Sequence, residues 1–188
     1  MRAKNFSGII ILVLCLSFIA AAWSWLFTGS SGVEINASNF PDYKFREEVR
    51  EYFDKDNDGT LSDEEIINIK MVNVNELNIA SLKGIEFFTA LIILECNKNQ
   101  LKELDVSKNT ALTTLRCYKN QLTELDVSKN TALTELWCGA NQLRELDVSK
   151  NTRLTQLWLW ENQLREIDVS KNKALTQLYC DRQTKIIR

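Results

Sequence analysis

The chain has 188 residues, 23 basic against 25 acidic side chains and a formal charge of −2, which bounds it to one or two small domains and supplies no basic surface for nucleic acid. It contains no histidine, so a His-assisted nucleophile or a His-based metal centre is excluded. No glycine-rich phosphate loop is present either.

Residues 1–32 contain no acidic residue, and Arg2 and Lys4 precede an apolar run from Ile9 to Ala22. This is the layout of a secretory signal peptide, with Ala20, Ala21 and Ala22 as the small-residue cleavage site. The apolar stretch continues through Trp23, Trp25 and Leu26 to Phe27. Residues 6–27 are therefore also long enough to attach the chain to a membrane as an uncleaved anchor, at about 20 residues per span. Both readings stay open, and both place the rest of the chain outside the cytoplasm, because the basic end stays inside. The exported part carries 21 basic and 25 acidic residues.

A short linker, TGSSGVEINAS, leads to NFPDYKFREEVREYF, in which Phe45, Val49 and Phe53 recur at helical spacing. The next residues, DKDNDGTLSDEE at 54–65, fit the calcium loop of the EF-hand pattern. Asp54, Asp56 and Asp58 supply carboxylates at positions 1, 3 and 5, Gly59 permits the sharp turn, and Thr60 offers its carbonyl. Ser62 stands where the ligand often acts through water, and Glu65 at position 12 binds with both oxygens. Four carboxylates so close repel one another without a cation, so the expected cofactor is Ca2+. Such loops usually come in pairs. A lone one must pack elsewhere, and the end of the repeat array that follows is the expected place.

Leu77, Ile79, Leu82, Ile85 and Phe88 read as an irregular first coil. From Ala90 a 21-residue unit is written four times without insertion and begun a fifth time. A period of that length predicts a solenoid, since one unit cannot bury its own apolar side. Within a unit, Leu115 and Cys117 alternate with Thr114, Arg116 and Tyr118, which predicts a short strand, and Asn120 supplies the turn. Asn99, Asn141 and Asn162 occupy the equivalent place and predict a buried asparagine ladder. The second half, LDVSKN, turns Leu125 and Val127 inward. Cys96, Cys117, Cys138 and Cys180 share one inward position, but Leu159 holds it in the fourth repeat. The position therefore asks for a small apolar group and not for a disulfide. Thiols in single file do not converge on zinc.

The pattern Leu-x-x-Leu-x-Cys-x-x-Asn-x-Leu, as in Leu112, Leu115, Cys117, Asn120 and Leu122, resembles the leucine-rich repeat family. Taken with INASNFPD, the helix–loop–helix and LNIASLKGIEFFTALIILECNKNQL, residues 34–188 resemble the internalin family. The resemblance implies a right-handed solenoid of short parallel β-strands with little helix in the coils and a small α-helical, EF-hand-like N-terminal cap. It implies three parts: 1–32 as signal or anchor plus linker, 33–75 as the cap, and 76–188 as the array. The chain departs from internalins in its cysteine-bearing 21-residue coils and its intact calcium loop.

Comparing the repeats shows where they differ. The residue between Leu and Cys reads Glu95, Arg116, Trp137, Trp158, Tyr179, and two residues on the series is Asn97, Tyr118, Gly139, Trp160, Asp181. Tyr118, Trp137, Trp158, Trp160 and Tyr179 are therefore expected to form an exposed patch that binds a protein or glycan ligand. The competing reading is that the rings shield the array's own core. The opposite row of Glu103, Glu124, Glu145, Glu166 and Asp105, Asp126, Asp147, Asp168, with Lys108, Lys129, Lys150 and Lys171 nearby, reads as a solvated face. A structural cell-surface spacer is the alternative function, though it would not need a face edited to tryptophan. A hydrolase using paired carboxylates is disfavoured, because nothing sets two of the repeated acids apart.

Overall fold

The computed structural model describes residues 32–188, so the stretch 1–31 read as signal or anchor lies outside the described residues. Among the described residues no helix is long and apolar enough to cross a membrane. From Met71 onward the chain is a parallel solenoid with little helix. Strands β3 (Met71–Asn73), β4 (Ile93–Glu95), β5 (Thr114–Arg116), β6 (Glu135–Trp137), β7 (Gln156–Trp158) and β9 (Gln177–Tyr179) form one sheet in that order. In the other half of the last coils, β8 (Glu166–Asp168) pairs with β10 (Lys185–Ile187).

The register explains why the repeat folds this way. Leu94, Leu115, Leu136, Leu157 and Leu178 stand opposite one another across successive strands. Alternate strand residues face opposite sides, so one leucine turned inward in each coil turns the whole column inward. Leu94 to Leu157 are fully buried in this column, and Cys96, Cys117, Cys138 and Leu159 fill a second. The sheet already includes Met71, ahead of the 76–188 span read from the sequence, because Val72 pairs with Leu94 and is buried as a repeat leucine would be. The residues around Val72 lack the leucine spacing that marks a coil.

Each coil turns on an asparagine. Asn120 Oδ1 accepts the Leu101 amide at 3.0 Å, while its Nδ2 donates to the Cys96 and Cys117 carbonyls at 3.0 Å each. Asn99 and Asn141 repeat the arrangement one coil away and are likewise buried. The residue before each asparagine is left-handed, with φ of 54° at Lys98, 55° at Lys119, 52° at Ala140 and 55° at Glu161. That backbone costs about 1–2 kcal/mol for an L-residue. It is held by cross-coil bonds, such as Lys119 N–H to the Gly139 carbonyl at 2.9 Å. A second ladder of Asn109, Asn130, Asn151 and Asn172 closes the LDVSKN half. Their Nδ2 groups donate to earlier coils, as Asn130 does to Val106 and Asn109.

At the N-terminal end, helix α1 (Tyr43–Tyr52) starts at Asp42. One Asp42 oxygen accepts the Lys44 and Phe45 amides, and the other accepts those of Ala80 and Ser81, tying the helix start to the first coil. Phe45 and Val49 are fully buried, and Phe45 meets Phe40 and Phe88 edge to face. The helix leading into the loop thus packs on the first coil of the array. The loop itself gains a neighbour: β1 (Gly32–Glu34) pairs antiparallel with β2 (Thr60–Ser62), setting Val33 against the buried Leu61. Gly32–Glu34 lie inside TGSSGVEINAS, the stretch read as a linker, and carry no strand signal of their own; the pairing with β2 makes them a strand.

Candidate functional site

The loop between α1 and helix α2 (Asp63–Asn68) brings three carboxylates together. Oxygens of Asp54, Asp56 and Asp58 all lie within 4.8 Å of one another. Asp54 is buried, and its oxygens accept the amides of Asp58 at 3.2 Å and Gly59 at 3.0 Å. Gly59 adopts φ 84°, the left-handed turn its place in the motif demands. None of the ion pairs among the described residues involves these three aspartates. Glu65 is not in the group. It caps α2 reciprocally with Ser62, accepting the Ser62 amide and hydroxyl at 2.8 Å, and its other oxygen takes the Lys55 amide at 2.6 Å. Burial pushes the Glu65 pKa up, but the donors from Lys55, Ser62 and Asp56 outweigh it and hold the carboxyl below its ordinary value. Glu65 therefore reaches back over the start of the loop while still capping its helix.

On the sheet face, the outward residues form a stack along the coils. The Arg116 guanidinium donates through Nε to Glu135 and through Nη1 to Glu95, both at 2.6 Å. Those carboxylates hold its pKa above the usual arginine value, led by the bond to Glu135. Arg116 lies 4.3 Å over the Trp137 ring, Trp137 and Trp158 stack at 4.1 Å and 7°, and Trp158 meets Tyr179 edge to face at 5.0 Å. These distances follow the strand spacing of about 4.8 Å, which delivers one ring per coil. Trp160 belongs to the neighbouring row. Its ring lies over Gly139, where an added Cβ would come within 3.0 Å of the Trp160 Cε2 and Nε1 atoms. Tyr118 is in that row too, with Gly139 between it and Trp160.

The expected exposed patch is thus a partly self-buried one. Tyr179 is 52% exposed, whereas Tyr118, Trp137, Trp158 and Trp160 are half-buried. The structure brings Trp137, Trp158 and Tyr179 into one stack and leaves Tyr118 and Trp160 outside it. The sequence reading missed Arg116 as the first rung and Gly139 as the seat of Trp160. The first was legible in Glu95 directly opposite Arg116 and Glu135 diagonal to it on the next strand, where opposite charges meet across strands.

Cys96, Cys117, Cys138 and Cys180 are free thiols. Burial pushes Cys138 up to about 12 and raises Cys96 and Cys117 as well. On the opposite row, each of Asp105, Asp126, Asp147 and Asp168 accepts the amide of the serine two residues on, at 2.7–2.8 Å. Those serine amides, with the serine hydroxyls, hold all four carboxyls below their ordinary pKa.

No family model matches the chain. Over 71 residues it is 42% identical to internalin J of Listeria monocytogenes serotype 4b (strain F2365), a match covering 38% of this chain and 8% of that protein. The solved functional domain of InlJ from Listeria monocytogenes, described as including a cysteine ladder, superposes with a TM-score of 0.77 at 40% identity, covering 85% of this chain and 35% of the other. A solved internalin, InlF of L. monocytogenes strain 4b F2365, gives 0.70 at 25% identity, covering 85% and 48%. The chain thus spans less than half the length of each of these relatives. With the six-strand parallel sheet, the asparagine turns and these superpositions together, the described chain is an internalin-like leucine-rich repeat solenoid.

Proposed function

We propose that the chain is a non-catalytic recognition module of the bacterial exterior, which binds a protein or glycan partner through the sheet face carrying Tyr118, Trp137, Trp158, Trp160 and Tyr179. The observation that carries this is the ring stack itself. Fully buried leucines and cysteines form the core beneath the sheet, and the Arg116–Trp137–Trp158–Tyr179 column lies outside them on the sheet's other face. Rigid aromatics dominate binding surfaces because they offer much contact area at low entropy cost. A spacer has no use for such a column. Export through residues 1–32 fits this role.

The test blocks the face without touching the rings. Gln156 and Gln177 flank the stack on its other side. The full chain with Gln156→Arg and Gln177→Arg should lose binding to peptides selected from a random dodecapeptide display library, or to a printed glycan array. Lys129→Glu and Lys150→Glu, on the opposite row, should leave binding intact. Binding that survives the arginines and fails with the glutamates would place recognition on the LDVSKN side.

We further propose that the cap holds one Ca2+ through Asp54, Asp56, Asp58, Thr60, Ser62 and Glu65. Three converging carboxylates without a cationic partner support this, as does the placement of Glu65 against the loop start. The ion would screen the repulsion of the aspartates and brace the loop on which β1 and α2 rest. Because the loop belongs to the cap, calcium acts on stability more than on recognition. Calorimetry at millimolar calcium tests this: heat that Glu65→Gln abolishes is expected, and no heat contradicts it, since extracellular loops of this kind bind at about 10⁻⁴ to 10⁻³ M.

A further inference from the structure

Loops of the kind found at residues 54–65 usually come in pairs, yet among the described residues this is the one place where three carboxylates converge. What stands beside the loop is not a second loop but β1. Its middle residue, Val33, is partly buried against the core and sits opposite the fully buried Leu61.

The register of β1 decides where the backbone of the loop points. Gly32, Val33 and Glu34 stand opposite Ser62, Leu61 and Thr60, and just past the strand the Ile35 N–H donates to the Gly59 carbonyl at 2.9 Å. In an antiparallel pair, residues that exchange both bonds alternate with residues that exchange none. Since Ile35 bonds Gly59, the next bonded pair is Val33 with Leu61, and Thr60 between them turns its backbone away from β1. The Thr60 N–H shows that direction, because it donates to Asp58 Oδ1 at 2.7 Å. The N–H and C=O of one strand residue lie on the same edge, so the Thr60 carbonyl is turned to the aspartate side as well. β1 thus takes the carbonyls of Gly59 and Leu61 and leaves that of Thr60 to the loop. A slip of one residue would bring Thr60 into a bonded pair and turn Leu61 out of the core, so the burial of Leu61 fixes this register.

Resting on the reading of the loop as a calcium site, we infer that β1 takes the place of a second loop: Val33 and Ile35 are positioning residues that aim the Thr60 carbonyl toward the three aspartates, and calcium in turn holds β1 on β2. Of the groups assigned to the ion, Thr60 offers a backbone atom, so its aim depends on the path of the chain and not on a rotamer. The coupling is reciprocal: whatever β1 adds to calcium affinity, calcium adds to the pairing of β1.

Amide hydrogen exchange of the full chain, read residue by residue by NMR, tests this. Calcium at ten times its Kd should slow exchange about tenfold at Val33 and Ile35, whose N–H groups face β2, because opening the strand then requires releasing the ion. Glu34, whose N–H faces away from β2, should change little. Calorimetry compares two prolines, each of which removes one N–H. Val33→Pro deletes the bond to Leu61 and should weaken calcium about tenfold, whereas Glu34→Pro deletes an N–H that β2 does not use and should leave affinity within about twofold. A purely structural role would lower the calcium-free melting temperature of Val33→Pro without shrinking the further rise that calcium gives. If Val33→Pro does not fold, the exchange measurement on the unaltered chain still decides. Calcium heat with unchanged exchange at Val33 and Ile35, or equal affinities in the two proline variants, overturns the role of β1 and leaves the calcium site standing. No calcium heat in the unaltered chain overturns the site and this inference with it.

Discussion

Removing one turn asparagine from each ladder separates two kinds of buried hydrogen bond. In Asn120→Ala, the Cys96 carbonyl keeps a bond from Asn99 and the Cys117 carbonyl keeps one from Asn141, both at 3.1 Å. The Leu101 amide, bonded to Asn120 Oδ1, is left inside the coil without an acceptor. In Asn130→Ala, the Val106 carbonyl keeps the Asn109 amide at 3.0 Å and the Asn109 carbonyl keeps the Leu112 amide at 3.1 Å. The lost Oδ1 had no partner, so no donor is orphaned. Two lost bonds at about 0.5–1.5 kcal/mol each give about 1–3 kcal/mol for either variant, and the orphaned amide adds about 1–3 kcal/mol to Asn120→Ala alone. Urea unfolding reads the gap directly: with a slope of about 2 kcal/mol/M, the Asn120 variant should unfold about 0.5–1.5 M earlier than the Asn130 variant. Equal midpoints, or a larger loss at Asn130, would refute the assignment of the two ladders.

Asp42→Ala should cost about 1–3 kcal/mol, since it removes both the start of α1 and its tie to Ala80 and Ser81, whereas Asp42→Asn should recover part of that in thermal unfolding. Calcium at ten times its Kd should add about 1.4 kcal/mol, seen as a rise of a few degrees in Tm that Asp54→Asn removes. Iodoacetamide should label the half-exposed Cys180 of the folded protein while burial keeps Cys96, Cys117 and Cys138 protonated and unlabelled until denaturant is added; mass mapping of the peptides checks this. The four row aspartates are depressed in the folded state, so their stabilisation is present above the unfolded value of about 3.9 and is lost as pH falls through the lower folded values. Replacing Asp126 and Asp147 by serine should therefore flatten the acid limb of the stability curve.

The array was legible because its signal is redundant: Leu115, Cys117 and Asn120 recur with constant spacing, and a column repeated in every coil cannot change face in one coil alone. The convergence of Asp54, Asp56 and Asp58 on one turn was legible residue by residue, since each position of that pattern has its own chemistry. What stayed hidden depends on contacts between distant positions. Lys119 and Ala140 carry no mark of the left-handed backbone they adopt, because the neighbouring coil and not their own side chains holds it. Val33 shows no strand signal, and only its pairing with Leu61 makes it one. The face series was readable as a list of rings, but the list does not say that Arg116, Trp137 and Trp158 cover one another or that Gly139 exists to receive Trp160.

Hydroxyl-radical footprinting of the full chain, with and without a selected peptide at saturation, tests the central claim most directly, because it reads side-chain exposure along the whole described surface at once. Tyr43, Tyr52 and Met71, at 65%, 53% and 46% exposed, supply internal references away from the ring stack. Oxidation of Trp160 and Tyr179 should fall several-fold on binding while those three are unchanged. Protection of Tyr43, Tyr52 or Met71, with Trp160 and Tyr179 oxidised as before, would contradict recognition by the aromatic face.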